Sequence, residues 1–163
     1  MQGLGNAGGY RATFTETKHL SMLKQPQTLE GMLVYRPPDR LKKVVTKPQE
    51  KIYDIHGQTL TISSPDGGNR QIAIDRHPLL RTLVTTLRGI LAGDLERLRA
   101  TYHLDLKGSV RDWHLRLSPK PESIREEIRV IRVKGRNQRI HSIKTAESNG
   151  DYSLIRITRV QSP

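Results

Sequence analysis

Hydrophobic positions along this chain change their period twice. From Ala12 to Ile62 they fall in short extended runs: Thr13 to His19 alternates, and Leu29 to Tyr35 is rich in β-branched and aromatic residues. Ile52 to Ile55 then leads through His56-Gly57-Gln58 into Thr59 to Ser63. The gaps between these runs leave no room for a helix, so the runs must pair as an antiparallel meander. Pro65-Asp66-Gly67-Gly68-Asn69 is a strong turn signal, and Gln71 to Ile74 completes a further hairpin with Ile62.

Between Asp75 and Gly93 the spacing becomes helical. Leu79, Leu80, Leu83, Val84, Leu87, Ile90 and Leu91 recur at three and four residues, Pro78 suits a first turn, and Gly93 suits a stop. A shorter helix is expected over Asp94 to Thr101, with Leu95 and Leu98 on its apolar side and Asp94 near its start. Alternation returns at Tyr102, Leu104 and Leu106, and again at Trp113, Leu115 and Leu117, the two runs joined through Gly108-Ser109 and Arg111-Asp112. After the break at Ser118-Pro119-Lys120-Pro121, three more strands are expected: Ser123 to Lys134, Gln138 to Ala146 and Asp151 to Val160. The last two are linked by Asn149-Gly150, the strongest hairpin dipeptide.

Strands, one helical insertion, then strands, without βαβ alternation or internal repeat, predict a mainly β (α+β) fold. Its centre is one large curved antiparallel sheet partly covered by helices. A twisted sheet that curls toward closure leaves a concave face, and residues 78–101 are the element able to fill or roof it. The apolar residues cover more of this helix than a narrow seam would, so it should be well buried. The same residue types would serve a solid core or a hollow kept for an apolar ligand.

Composition narrows the partners. At 163 residues the chain suits a single core, expected over residues 11–160 behind a flexible segment at 1–10. The formal charge of +12, from 28 Lys and Arg against 16 Asp and Glu, favours an anionic partner or membrane surface. The excess is spread through Arg36, Arg40, Lys42, Lys43, Arg116, Arg129 and Arg132 rather than gathered in a tail. One Phe, one Trp and five Tyr form no aromatic and basic cluster for stacking bases, which argues against nucleic acid. With no cysteine the chain carries neither disulfide nor thiol-linked lipid. No apolar run approaches the roughly 20 residues of a membrane-spanning helix, and the glycine-rich opening is expected to be the cut end of a longer precursor.

Candidate chemistry is sparse. The histidines His19, His56, His77, His103, His114 and His141 show no helical i, i+4 pair, and His103 and His114 are expected to face each other across the Gly108 hairpin without a third ligand. No nucleophile elbow or phosphate loop is present, and Glu126 and Glu127 are expected as solvated strand residues beside basic ones. No enzyme, metal or cofactor is expected.

Several short motifs resemble the LolA-like family of lipoprotein carriers. Phe14-Thr15-Glu16 is similar to that family's first-strand Phe-Thr-Gln, and Glu30-Gly31-x-Leu33-x-x-Arg36-Pro37 to its Gly-x-Leu-x-x-x-Arg-Pro strand end. Asp54-x-x-Gly57-x-Thr59-Leu60 and Leu115 to Lys120 follow in the family's order, and the resemblance covers Arg11 to Thr158. It implies an incomplete β-barrel with a helical lid over an apolar cavity, in a periplasmic binder of lipidated proteins or other acyl chains. Inner-membrane donor and outer-membrane acceptor proteins would then be partners, and the positive charge fits a cargo or membrane with anionic headgroups. The resemblance also implies an alternative: a protein-interaction or lipid-sensing module of the same fold in the cell envelope. By resemblance, Arg36 would close the lid through hydrogen bonds, a task suited to the fixed fork of a guanidinium. The candidate cavity residues, from the lid argument, are Leu33, Leu79, Leu83, Val84, Leu87, Ile90, Leu95 and Leu98.

Overall fold

The computed structural model describes residues 9–161; most of the expected flexible segment, residues 1–8, lies outside them. The first half of the chain forms six strands: β1 (Tyr10–His19), β2 (Gln27–Arg36), β3 (Arg40–Lys47), β4 (Lys51–His56), β5 (Thr59–Ser63) and β6 (Asn69–Ala73). A 3-10 turn at Ile74–Arg76 leads into helices α1 (Pro78–Ala92) and α2 (Leu95–Arg99). Then come β7 (Tyr102–Ser109), β8 (Asp112–Pro119), the short helix α3 (Glu122–Arg125), β9 (Ile128–Arg136), β10 (Arg139–Glu147) and β11 (Tyr152–Gln161). The 11 strands make one open antiparallel sheet in the order β6-β5-β4-β3-β2-β1-β11-β10-β9-β8-β7.

That order explains where the helices sit. The two edge strands, β6 and β7, are consecutive in the chain, and the segment joining them is the 3-10 turn with α1 and α2. The first and last strands pair along nearly their whole length in the middle of the sheet, with a bulge between Thr13 and Phe14. The expected curved sheet, open as an incomplete barrel and covered by a helical lid, is therefore the architecture observed.

Three local expectations are corrected. The stretch after Tyr35 holds β3, which sequence reasoning took only as a source of charge. Its alternation is disguised because Lys43 occupies the same face as the buried Leu41 and Val45, its ammonium held by Glu16 rather than by water. Strand β9 does not start at Ser123: residues Glu122–Arg125 form α3, which buries Ile124, and Glu126 and Glu127 lie in the turn after it. His103 and His114 do not face each other, because β7 and β8 pair His103 with Ser118 and Lys107 with His114.

The interior is aliphatic with a few aromatic rings. One cluster joins Tyr35, Leu41, Ile90, Leu98, Trp113 and Val133, among others, and a smaller one joins Leu60, Ile74 and Val84. Residues of α1 thus contribute to both clusters.

Candidate ligand-binding site

The concave face follows from register. Cross-strand pairs carry Tyr10–Tyr35–Leu41–Ile55–Leu60–Ile72 from β1 to β6 in one continuous row. On the other wing, Ile155, Ile143, Val133, Leu115 and Leu106 run from β11 to β7. Side chains two apart in a strand share a face, so these rows build a greasy trough.

The lid is a helical hairpin whose turn is written in its sequence. Gly93 adopts the left-handed conformation (φ 68°), and Asp94 N–H returns to the Gly89 carbonyl at 2.9 Å, which ends α1. The Asp94 carboxylate then accepts from Arg97 N–H at 3.1 Å and starts α2. Leu98 folds back over Gly89 so closely that a Cβ there would stand 2.9 Å from Leu98 Cδ2.

All eight proposed cavity residues lie in the two apolar clusters or pack against them. Ile90 and Leu98 are buried in the larger cluster and Val84 in the smaller. Leu33, Leu79, Leu83, Leu87 and Leu95 pack on the larger cluster while staying partly exposed. Buried polar groups beneath the lid are also placed. Thr86 Oγ1 donates to Thr82 O at 2.7 Å and accepts from the Tyr102 hydroxyl at 2.7 Å, and burial pushes the Tyr102 phenol above its ordinary pKa. Tyr10 and Tyr35 pack with ring centroids 5.8 Å apart, and burial raises both phenols too.

Arg36 is exposed at the end of β2, paired in register with Arg40. An arginine of the lid itself reaches the sheet. Arg88, on α1, is half-buried, and its Nη2 donates to the carbonyls of Asp39 at 2.6 Å and Gly57 at 2.8 Å. These carbonyls belong to the β2–β3 and β4–β5 hairpin loops, so one guanidinium fastens the lid to two turns of the sheet. Burial pulls Arg88 below its ordinary pKa, with the Asp39 carboxylate opposing that fall. Its Nε is buried without a partner among the described residues, so the site retains one unmet donor. The signal for Arg88 was present in the sequence: it shares the 84, 88, 91 spacing of a helix face with the buried Val84 and Leu91.

Two hollows adjoin the trough, and none of the eight proposed residues lines either. One of about 580 Å³ is lined by Lys18, Leu29, Val45, Lys51 and Tyr53 among others. Near it, Glu16, only 4% exposed, receives Lys43 Nζ at 2.5 Å, and the same ammonium lies 5.5 Å from the Phe14 ring centre and 5.9 Å from that of Tyr53. The other hollow, about 1250 Å³, lies between the ends of the β7–β8 and β9–β10 hairpins. Its walls include the core residues Trp113, Ile140 and Ile157 with the exposed Leu106 and Val110. Val110 escaped sequence reasoning because it occupies a hairpin turn, where an apolar residue breaks no period.

The chemistry available is binding by apolar contact with a few buried polar anchors. Among the described residues no group of three or more His, Asp or Glu is placed to hold a metal, and no helix is long and apolar enough to cross a membrane.

Comparisons agree with this architecture. The sequence profile described as outer membrane lipoprotein carrier protein LolA-like matches residues 1–158. No curated protein matches the chain in sequence. Among solved structures, MucB superposes with a TM-score of 0.54 at 14% identity, over 98% of this chain and 56% of that one. The MucA/MucB complex of Pseudomonas aeruginosa gives 0.52 at 13% identity, over 94% and 51%. A DUF1329 family protein from Desulfovibrio piger gives 0.50 at 9% identity, over 98% and 87%. The chain thus spans about half the length of the MucB structures, and at these identities the likeness is one of fold.

Proposed function

The chain belongs to the LolA-like family, and we propose that it is a non-enzymatic binder of acyl chains, carrying a lipidated protein or lipid within the cell envelope. The ligand's hydrocarbon enters the trough beneath α1 and α2, and its headgroup stays at the rim. One observation carries the reading. The lid leucines Leu79, Leu83, Leu87 and Leu95 pack on the core yet remain partly exposed, so they present apolar surface that a hydrocarbon would cover. Arg88 supports it by adding, beside the lid's apolar contacts, two hydrogen bonds to hairpin loops that can break and re-form as the lid moves. Leu33, Val84, Ile90 and Leu98 line the space that opens when the lid lifts, and exposed Arg36 is assigned no part in closing it. The family's description, a carrier of outer membrane lipoproteins, supports a place in the cell envelope, and periplasmic location with exchange between inner-membrane donor and outer-membrane acceptor proteins is part of the same proposal.

The test is native mass spectrometry of protein purified from its own envelope, with a fluorescent long-chain acyl probe added to stripped protein. A bound acyl mass and saturable probe binding that is weakened by Leu83→Arg and Leu87→Arg are expected. Absence of both would overturn the reading. A second reading, a module that binds a protein partner, is supported by the fold shared with MucB, whose structure is known with MucA. A co-purifying protein with an acyl-free trough would favour it.

A further inference from the structure

The convex side of the sheet holds a feature that a lidded trough does not require. Register places Arg116 of β8 directly opposite Arg132 of β9, and Arg132 directly opposite Lys144 of β10. Like charges facing each other across strands destabilise a sheet, and here three stand in one row. In the next row Lys134 faces His114. Among the described residues, none of Arg116, Arg129, Arg132, Lys134 and Lys144 belongs to an ion pair. Asp105, opposite Arg116, bridges to Lys107 at 3.6 Å instead.

These cations surround a built depression. A cleft of about 280 Å³ is lined by Arg116, Arg129, Arg132 and Lys144, and its remaining lining is Val130 and Ala146, each 5% exposed. Among the described residues no carboxylate lines it. The Lys144 ammonium lies 4.5 Å from the Tyr152 ring centre, and Tyr152 stacks on His19 at 4.2 Å, so the cation is held on an aromatic platform. Because strands lie roughly 4.8 Å apart, the row of three offers a fixed ladder of positive charge.

We propose that this ladder, Arg116, Arg132 and Lys144 with Arg129, docks the protein on an anionic bilayer by binding the phosphates of its headgroups. Strands β8, β9 and β10 are internal to the sheet, so their main-chain hydrogen bonds are taken by neighbours and no partner strand can be added. What the face presents is side-chain charge around a shallow apolar floor. Phosphate headgroups match that charge without any backbone partner, and a bilayer surface meets the whole row of cations at once. The inference is independent of the acyl-binding reading: the ladder lies on the face opposite the trough, and its assay contains no trough ligand.

The experiment is flotation of the full chain with vesicles of phosphatidylcholine alone or containing about one-third phosphatidylglycerol, across a salt series, since screening shortens to roughly 3 Å at 1 M. Wild type should float only with the anionic vesicles and be released as salt rises. At about fivefold per cation, Arg116→Gln/Arg132→Gln/Lys144→Gln should weaken vesicle affinity on the order of a hundredfold at low salt. Removing mutual repulsion should leave its melting temperature unchanged or raised. A control with the same loss of charge, Arg70→Gln/Arg76→Gln/Arg81→Gln, should keep most of the affinity. No binding by wild type, or equal loss in the ladder and control variants, overturns the proposal. So does polyglutamate binding as tight as vesicle binding, which would make the face a dock for acidic protein.

Discussion

Replacing Arg88 with methionine keeps most of the aliphatic stem and removes the two hydrogen bonds, at 2.6 and 2.8 Å, that fasten α1 to the hairpin loops. A hydrogen bond from a charged donor contributes about 1.5 to 3 kcal/mol, and the half-buried position argues for the lower figure. Two such bonds then amount to about 3 kcal/mol, close to a hundredfold in the population of a lifted lid. Amide hydrogen exchange reads that population directly. In Arg88→Met the amides of α1 should lose on the order of a hundredfold in protection, while those of β9, far from the contact, should not change. Arg88→Lys, able to keep one of the two carbonyls, should fall between. The acyl probe should enter and leave the variant faster than wild type. Unaltered exchange in Arg88→Met, combined with faster exchange in Arg36→Met, would refute the reasoning and return the fastening role to the strand-end arginine.

Three further outcomes follow from buried polar groups. Lys43→Met leaves the Glu16 carboxylate buried and alone and should cost about 3 to 5 kcal/mol by denaturant melting, whereas Glu16→Leu/Lys43→Met should recover most of it; a double variant that costs the sum of Glu16→Leu and Lys43→Met would show that the pair does not interact. Tyr102→Phe removes a donor from Thr86, which keeps its bond to Thr82, and should cost about 1 kcal/mol. Thr86→Val strands the buried Tyr102 hydroxyl and should cost more, and the reverse ranking would contradict the assigned donor directions. Tyr10, Tyr35 and Tyr102 all have folded pKa values raised above the ordinary 10.0 by burial. Their contribution is complete below pH 10 and is lost as pH climbs toward the folded values, because the unfolded chain gives up these protons first. Melting temperature should therefore drop steeply above pH 10, less so in Tyr102→Phe, and a flat alkaline profile would contradict the assignment.

The hairpins were legible because turn chemistry is local. Asn149-Gly150 and Asp66-Gly67-Gly68 mark two turns between antiparallel strands, and Gly93 ends the helix as its position suggested. Strand β3 was not legible, since Leu-Lys-Lys-Val-Val carries an inward lysine whose partner, Glu16, lies two strands away. The pairing of β1 with β11 was likewise hidden, because contacts between distant segments leave no periodic trace in either one. For the site, periodicity found the apolar stripe of α1 but ranked residues by greasiness, and so passed over Arg88 in the same stripe. The cationic ladder needed register, since Arg116, Arg132 and Lys144 are neighbours only after the strands align.

The strand order divides the molecule in an unusual way. Strands β1 to β6 form one wing and β7 to β11 the other, and the wings are knitted together by the β1–β11 seam, while their only covalent connection runs through the lid. Protease nicking between α1 and α2 would consequently yield two fragments still zipped into a single sheet, each holding half of the lid. Co-expressing residues 1–93 and 94–163 as separate polypeptides should rebuild the protein, with its cover no longer tethered across the gap.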